Sequence, residues 1–128
     1  IKRKKKTYSL MKSKITSLSK NEDFKSILGG KKISNKYLTI FFKKLSNKDY
    51  KKLNISFVTK KKIGNAVKRN KIRRRLKSAV QKILVKDENI SLNYTYIIFG
   101  KDKVCNEKFS IISDNIKNIF KKIKNLNS

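Results

Sequence analysis

The chain has 128 residues, one domain's worth of sequence, with 36 Lys+Arg against 8 Asp+Glu and a formal net charge of +28. A lone cysteine, Cys105, and the absence of histidine exclude a disulfide or cysteine-based metal site within this chain and all histidine-based catalysis. The charge points to a polyanionic partner, either nucleic acid or an anionic membrane surface. Part of it reflects a bias toward Lys, Ile and Asn of the kind an AT-rich genome favours, so the positions of the charges matter more than their number. No apolar run approaches the ~18 residues of a membrane span. The charged start is followed by no apolar core, so a cytoplasmic protein is expected.

Residues 1–18 are basic, weakly periodic, and read as a partly disordered N-terminal arm, leaving 19–128 as a single domain. Ser19-Lys20-Asn21-Glu22 has the form of a capping box opening a helix over about 20–28. Phe24, Ile27 and Leu28 share one face of that helix, and Gly29-Gly30 ends it. Residues 36–43 are rich in aromatic and β-branched types and predict a strand. A polar stretch, 45–52, makes a turn into a second strand at 53–60, expected to pair with the first. Ile63-Gly64-Asn65 breaks that strand, and residues 66–85 carry a helical period without Gly or Pro. A loop at 87–93 leads to a short strand at 94–100 with Ile97, Ile98 and Phe99 as a buried run. Asn106 is placed to cap a last helix in which Phe109, Ile112, Ile116, Ile119, Phe120 and Ile123 recur at three and four. The order helix–strand–strand–helix–strand–helix predicts an α/β (α+β) two-layer sandwich: about three helices packed on a small sheet of three to four strands.

The segment from Lys60 to Lys77 is the most informative. On a helix, Ile72, Leu76, Ala79, Val80 and Ile83 fall within an arc of about 100° and form the buried stripe. Arg69, Asn70, Arg73, Arg74 and Lys77 form a ridge beside it, with no acidic residue between Lys60 and Lys86. Such a ridge is a comb of donors suited to phosphate, because the planar guanidinium can bind two oxygens at once. Asn70 can both donate and accept, so it can meet a sugar, a base edge or a neighbouring backbone.

Gly64-Asn65-Ala66-Val67-x-Arg69-Asn70-x-x-Arg73-Arg74-x-x-Lys77, preceded by paired lysines after a strand, resembles the Arg-Asn-Arg signature of the bacterial ribonuclease P protein component. Asn21-Glu22-Asp23-Phe24, Asn35-Lys36 and Tyr96-Ile97-Ile98 resemble further family elements in the right order, so the likeness spans roughly 16–124. Leu28 stands where the family usually has a second aromatic, Lys60 where it has a small polar residue, and Lys77 and Lys101 where arginine is common. The resemblance implies a non-catalytic subunit of the tRNA 5′-endoribonuclease. A catalytic RNA holds Mg²⁺ and removes the 5′ leader of precursor tRNA, while the protein binds both RNAs; no obligate protein partner is inferred. It implies a left-handed strand–helix–strand crossover, whereas the general rule favours the right-handed form. Carried over by position, it implies that Lys61, Lys62, Asn65, Lys68, Arg69, Asn70, Arg73, Arg74 and Lys77 contact RNA. It also implies a leader groove of Phe24, Leu28 and Phe41 with basic flanks at Lys60, Lys61, Lys62 and Lys101. Unpaired bases stack on aromatic faces while lysines track phosphates. Phe57 and Phe99 are expected in the core, and Cys105 at an ordinary loop or edge position.

Two other classes share parts of this pattern. A ribosomal or RNA-assembly protein without a processing role shares the charge and size but needs no aromatic groove. A self-sufficient nuclease needs converging acids, yet Glu22, Asp23, Asp49, Asp87, Glu88, Asp102, Glu107 and Asp114 are scattered along the sequence. Membrane-surface binding fits poorly, since the ridge is Arg-dense and lacks exposed aromatics.

Overall fold

The structure, a computed structural model, describes residues 15–16, 21–44, 53–86 and 90–126. Ser19 and Lys20 of the capping box, the 45–52 turn and most of the arm at 1–18 lie outside the described residues. In chain order come β1 (Ile15–Thr16), α1 (Asn21–Leu28), β2 (Lys31–Ser34), β3 (Leu38–Lys43) and β4 (Leu53–Val58). Then follow α2 (Ala66–Lys86), β5 (Thr95–Gly100) and α3 (Phe109–Asn125), with 3₁₀ turns at Lys61–Ile63 and Asp102–Cys105. The strands form one mixed sheet in the order β1-β4-β5-β3-β2. The expected α+β sandwich is therefore the observed one, with four strands of ordinary length and the two-residue β1 beside β4.

The pairing is not the expected one. Sequence order puts 53–60 beside 36–43, but β5 lies between them, parallel to β4 and antiparallel to β3. The composition of β5 explains its place: Tyr96, Ile97 and Ile98 are all fully buried, the mark of a strand covered on both faces. Parallel neighbours need a crossover, and α2 supplies it between β4 and β5. The hairpin partner of β3 is instead β2, with Lys31 opposite Phe42 and Ser34 opposite Thr39. Nothing in Lys31-Lys32-Ile33-Ser34 suggests a strand by composition; three of its four residues are exposed, as befits an edge guarded by lysines.

One sheet face carries the main core. Leu38, Ile40, Phe42, Leu53, Ile55, Tyr96 and Ile98 pack with Ile72, Leu76, Ala79, Val80 and Ile83 of α2 and with Ile112, Ile116, Ile119, Phe120 and Ile123 of α3. The stripe expected on α2 is thus fully in the core. Phe120 meets Tyr96 edge-to-face at 5.1 Å. Burial pushes the Tyr96 hydroxyl well above the usual tyrosine range, and it donates to Ser91 O at 2.5 Å. Close approach of α2 requires Gly100: a Cβ there would run into Ile72 Cγ2 and lie 2.8 Å from Leu76 Cδ1. On the other face, α1 packs against β3 and β5.

A polar clamp joins the ends of these elements. Arg75 donates Nε to Val104 O at 2.8 Å and Nη2 to Glu107 O, tying α2 to the second 3₁₀ turn. Glu107 accepts from Tyr37 Oη at 2.8 Å and from the Lys108 N–H at 2.9 Å. These donors, the Lys108 amide foremost, hold its carboxyl below the usual glutamate range. Asn35 Oδ1 accepts from the amides of Tyr37 and Leu38, closing the β2–β3 turn, while its Nδ2 reaches Asn115 on α3. Helix α3 begins at Phe109 with Lys108 before it; Asn106, expected as the cap, ends the preceding 3₁₀ turn. Cys105, expected at a loop or edge, is buried in the core against these helices.

Candidate nucleic-acid interface

Helix α2 begins where β4 and the first 3₁₀ turn deliver it. Asn65 Oδ1 accepts the Lys68 amide at 3.0 Å, an N-cap that satisfies a donor the helix leaves open. The carbonyl side of Asn65 is therefore occupied by its own helix, leaving the amide NH₂ for an external partner. Beyond it the ridge stands as expected: Asn70, Arg74 and Lys77 are exposed, and Arg69 and Arg73 are half-buried at its foot. Arg73 donates to Asn70 Oδ1 and, at 3.4 Å, to Thr59 Oγ1. Asn70 thus orients the arginine beside it. Arg69 Nε is shut from solvent and has no hydrogen-bond partner in the protein. Lys68 is engaged differently: its ammonium pairs with Asp102, a hydrogen bond that raises its pKa above the usual lysine value.

Beside the N-terminus of α2 lies a groove of about 630 Å³ lined by Leu28, Lys32, Thr39, Phe41, Lys60, Lys62, Ile63, Phe99, Gly100, Lys101 and Asp102. It brings together five of the residues expected at a groove or its flank: Leu28, Phe41, Lys60, Lys62 and Lys101. Phe24, expected in it, does not line it; it lies half-buried one turn back along α1, and Leu28 at the helix end reaches the groove instead. Phe99, expected in the core, faces the groove and meets Phe41 edge-to-face at 5.6 Å. Strand alternation could have shown this, because Tyr96 and Ile98 face the helices and Phe99 must point the other way. Phe57 packs against the core as expected, though only half-buried. Lys61 is exposed and stands outside the groove lining.

Charge surrounds the apolar floor. Lys32 Nζ sits 5.9 Å from the centroid of the Phe41 ring. Lys101 Nζ donates to Asn35 O at 2.6 Å and Ser34 Oγ at 3.1 Å, so its ammonium is fixed at the β2–β3 turn. Asp102 is the one acid in the lining. Among the described residues no three of His, Cys, Asp and Glu gather into a metal-holding group.

A small α+β domain with an arginine ridge on one helix and a lysine-rimmed aromatic groove beside it is an RNA-binding protein suited to phosphates and unpaired bases. Comparison with known proteins narrows this. The sequence model described as Ribonuclease P matches residues 11–124. The ribonuclease P protein component of Carboxydothermus hydrogenoformans is 36% identical over 109 residues, covering 84% of this chain and 90% of that protein. That of Clostridioides difficile is 36% identical over 107 residues, covering 82% and 89%. The solved RNase P protein of Staphylococcus aureus superposes with a TM-score of 0.65 at 26% identity, covering 84% of this chain and 94% of that one. The Thermotoga maritima RNase P protein, at 21% identity, shares the fold with a TM-score of 0.68, over 84% of this chain and 96% of that one. The chain belongs to the ribonuclease P protein family.

Proposed function

We propose that this protein grips the single-stranded 5′ leader of precursor tRNA in the groove while the α2 ridge holds the catalytic RNA. As a family member it takes part in the ribonuclease P holoenzyme, associates with its RNA and serves tRNA 5′ maturation. That membership sets aside a purely ribosomal or RNA-packing role. The finer reading rests on one observation: an apolar floor of Leu28, Phe41, Ile63 and Phe99, rimmed by lysines, lies directly beside the start of the ridge helix. Base stacking on such a floor contributes ~1–3 kcal/mol per base and tolerates any sequence, as a processor of diverse tRNAs requires. Lys32, Lys60 and Lys62 would then track the leader phosphates. Arg69, Arg73, Arg74 and Lys77 would contact the catalytic RNA, with Lys61, Asn65, Lys68 and Asn70 at its margin.

In this reading the chemistry belongs to the partner RNA and the Mg²⁺ it holds with substrate, and the protein contributes binding and orientation. The protein would work in the cytoplasm; no helix among the described residues is long and apolar enough to cross a membrane. The test is to mix the protein with a bacterial ribonuclease P RNA and precursor tRNA at low Mg²⁺. Stimulated 5′ cleavage is expected, with no cleavage by the protein alone. Absence of stimulation, or cleavage by RNA-free protein that one acidic substitution abolishes, would sink the reading.

A further inference from the structure

A second concave basic site lies away from both the ridge and the groove. The last turns of α2 and the first half of α3 enclose a pocket of about 180 Å³. Lys82 and Lys86 line it from α2, and Ser110, Ser113, Asp114 and Lys117 from α3. Its lysines outnumber its one acid by three to one. The Lys82 ammonium also makes a cation–π contact, 5.7 Å from the centroid of the Phe109 ring. Ser113 Oγ is buried with no hydrogen-bond partner, a hydroxyl in the pocket wall without an acceptor. Lysines near the C-terminus of α2 also suit the helix dipole. The dipole of α2 does not account for Lys117, which reaches the same pocket from the other helix.

The pocket faces away from most of the ridge. Nine residues separate Arg73 from Lys82, and nine separate Lys77 from Lys86. At 3.6 residues per turn that is two and a half turns, so each pair points to opposite sides of the helix, about 13 Å apart along its axis. The ridge and this pocket flank the buried stripe of α2 on either side.

We propose that the α2–α3 pocket is a second phosphate-binding site, which takes the backbone of an RNA segment other than the one held by the ridge. This rests on the family reading, because it is the partner RNA that offers phosphates on two sides of one helix. Lys82, Lys86 and Lys117 supply the charge and Ser110 a hydroxyl donor; sequence readout is not expected, since the pocket offers phosphate donors and no fork for a base edge.

The experiment measures binding of a bacterial ribonuclease P RNA to the full chain across a salt series. The variants are Lys82→Gln/Lys86→Gln, Ser110→Asp, a control Lys121→Gln/Lys122→Gln that removes the same charge from exposed positions of α3 outside the pocket, and Arg73→Ala. The pocket double should flatten the salt slope by about 0.7–0.9 for each phosphate it no longer neutralises. The control double should stay near wild type. Ser110→Asp should weaken binding while leaving the melting temperature unchanged or raised, because an acid in the first turn of α3 suits the helix dipole. Equal weakening in the two doubles, or wild-type binding in both the pocket double and Ser110→Asp, would overturn the proposal. So would a saturable inorganic phosphate titration, abolished in the pocket double, alongside an unchanged RNA salt slope, since that describes a small-anion site. If wild type itself fails to bind the RNA, the family reading fails; if wild type binds and only Arg73→Ala weakens binding, this inference alone fails.

Discussion

Gly100→Ala probes the contact on which both candidate surfaces depend. Gly100 ends β5, lines the groove, and lets α2 approach the sheet. The added methyl would run into Ile72 Cγ2 and stand 2.8 Å from Leu76 Cδ1. Both neighbours are fully buried branched side chains, so neither can swing away. Overpacking of this kind costs about 1–3 kcal/mol, and the two-sided clash argues for the upper half of that range. Restricting the unfolded chain returns ~0.4–1 kcal/mol, leaving a net loss of roughly 1–2.5 kcal/mol. At roughly 4 °C per kcal/mol, the melting temperature should fall by about 4–10 °C. Gly29→Ala is the control, since its Cβ would meet only Ser26 O at 3.5 Å and Lys25 O at 3.8 Å, ordinary contacts; with only the unfolded-chain gain acting, it should melt at the wild-type temperature or about 2–4 °C above it. Thermal melts by circular dichroism decide the matter. A Gly100→Ala protein melting within a degree of wild type would show that α2 does not press on β5 as described.

Arg74→Ala should weaken binding to the ribonuclease P RNA and flatten its salt slope by about one phosphate's worth, read by filter binding; an unchanged slope would mean that the ridge faces only solvent. Phe41→Ala should shrink the preference for precursor over mature tRNA by the ~1–3 kcal/mol of one stacked base, whereas Phe24→Ala, outside the groove lining, should leave that preference intact in protein that still folds. Equal effects of the two, in Kd measurements paired with melts, would count against the groove. Glu107 has a depressed carboxyl, so its stabilising contribution is complete above the ordinary value of 4.5 and is lost as pH falls through the lower folded value. Glu107→Gln should therefore show a shallower loss of melting temperature with acid below that point, and parallel acid profiles for the two proteins would refute the assignment.

How well each element can be read from sequence follows from what holds it. Helix α2 is plain because one segment carries both signals, an apolar stripe for the core and an arginine ridge beside it. The groove is half visible. Leu28, Phe41, Lys60, Lys62 and Lys101 follow from the family resemblance, but Lys32 carries no sequence signal, and Phe99 is misplaced by sequence because Ile97, Ile98 and Phe99 read as one apolar run although their alternate faces meet different layers. Strand β2 is invisible, since Lys31 and Lys32 carry no strand preference and only pairing to β3 makes them one. The expected β3–β4 pairing fails for a related reason. Neighbours in sequence usually pair, and only the two-sided burial of β5 indicates that a later strand separates them. The α2–α3 pocket has no sequence signal at all, as Lys82 and Lys117 share no local pattern.

The central position of β5 has a consequence for how the molecule comes into being. Both its neighbours, β3 and β4, precede it in the chain, yet neither has its inner partner until residue 100 has been made. At synthesis rates of about 5–20 residues per second, the β2–β3 hairpin and the basic helix α2 wait seconds on the ribosome with an open sheet between them. During that interval a strongly cationic helix, its stripe still uncovered, is displayed beside the most RNA-rich surface in the cell. Sheet closure by β5, followed by α3 over Tyr96 and Ile98, therefore also withdraws the apolar half of that helix and leaves only its charged side for partners.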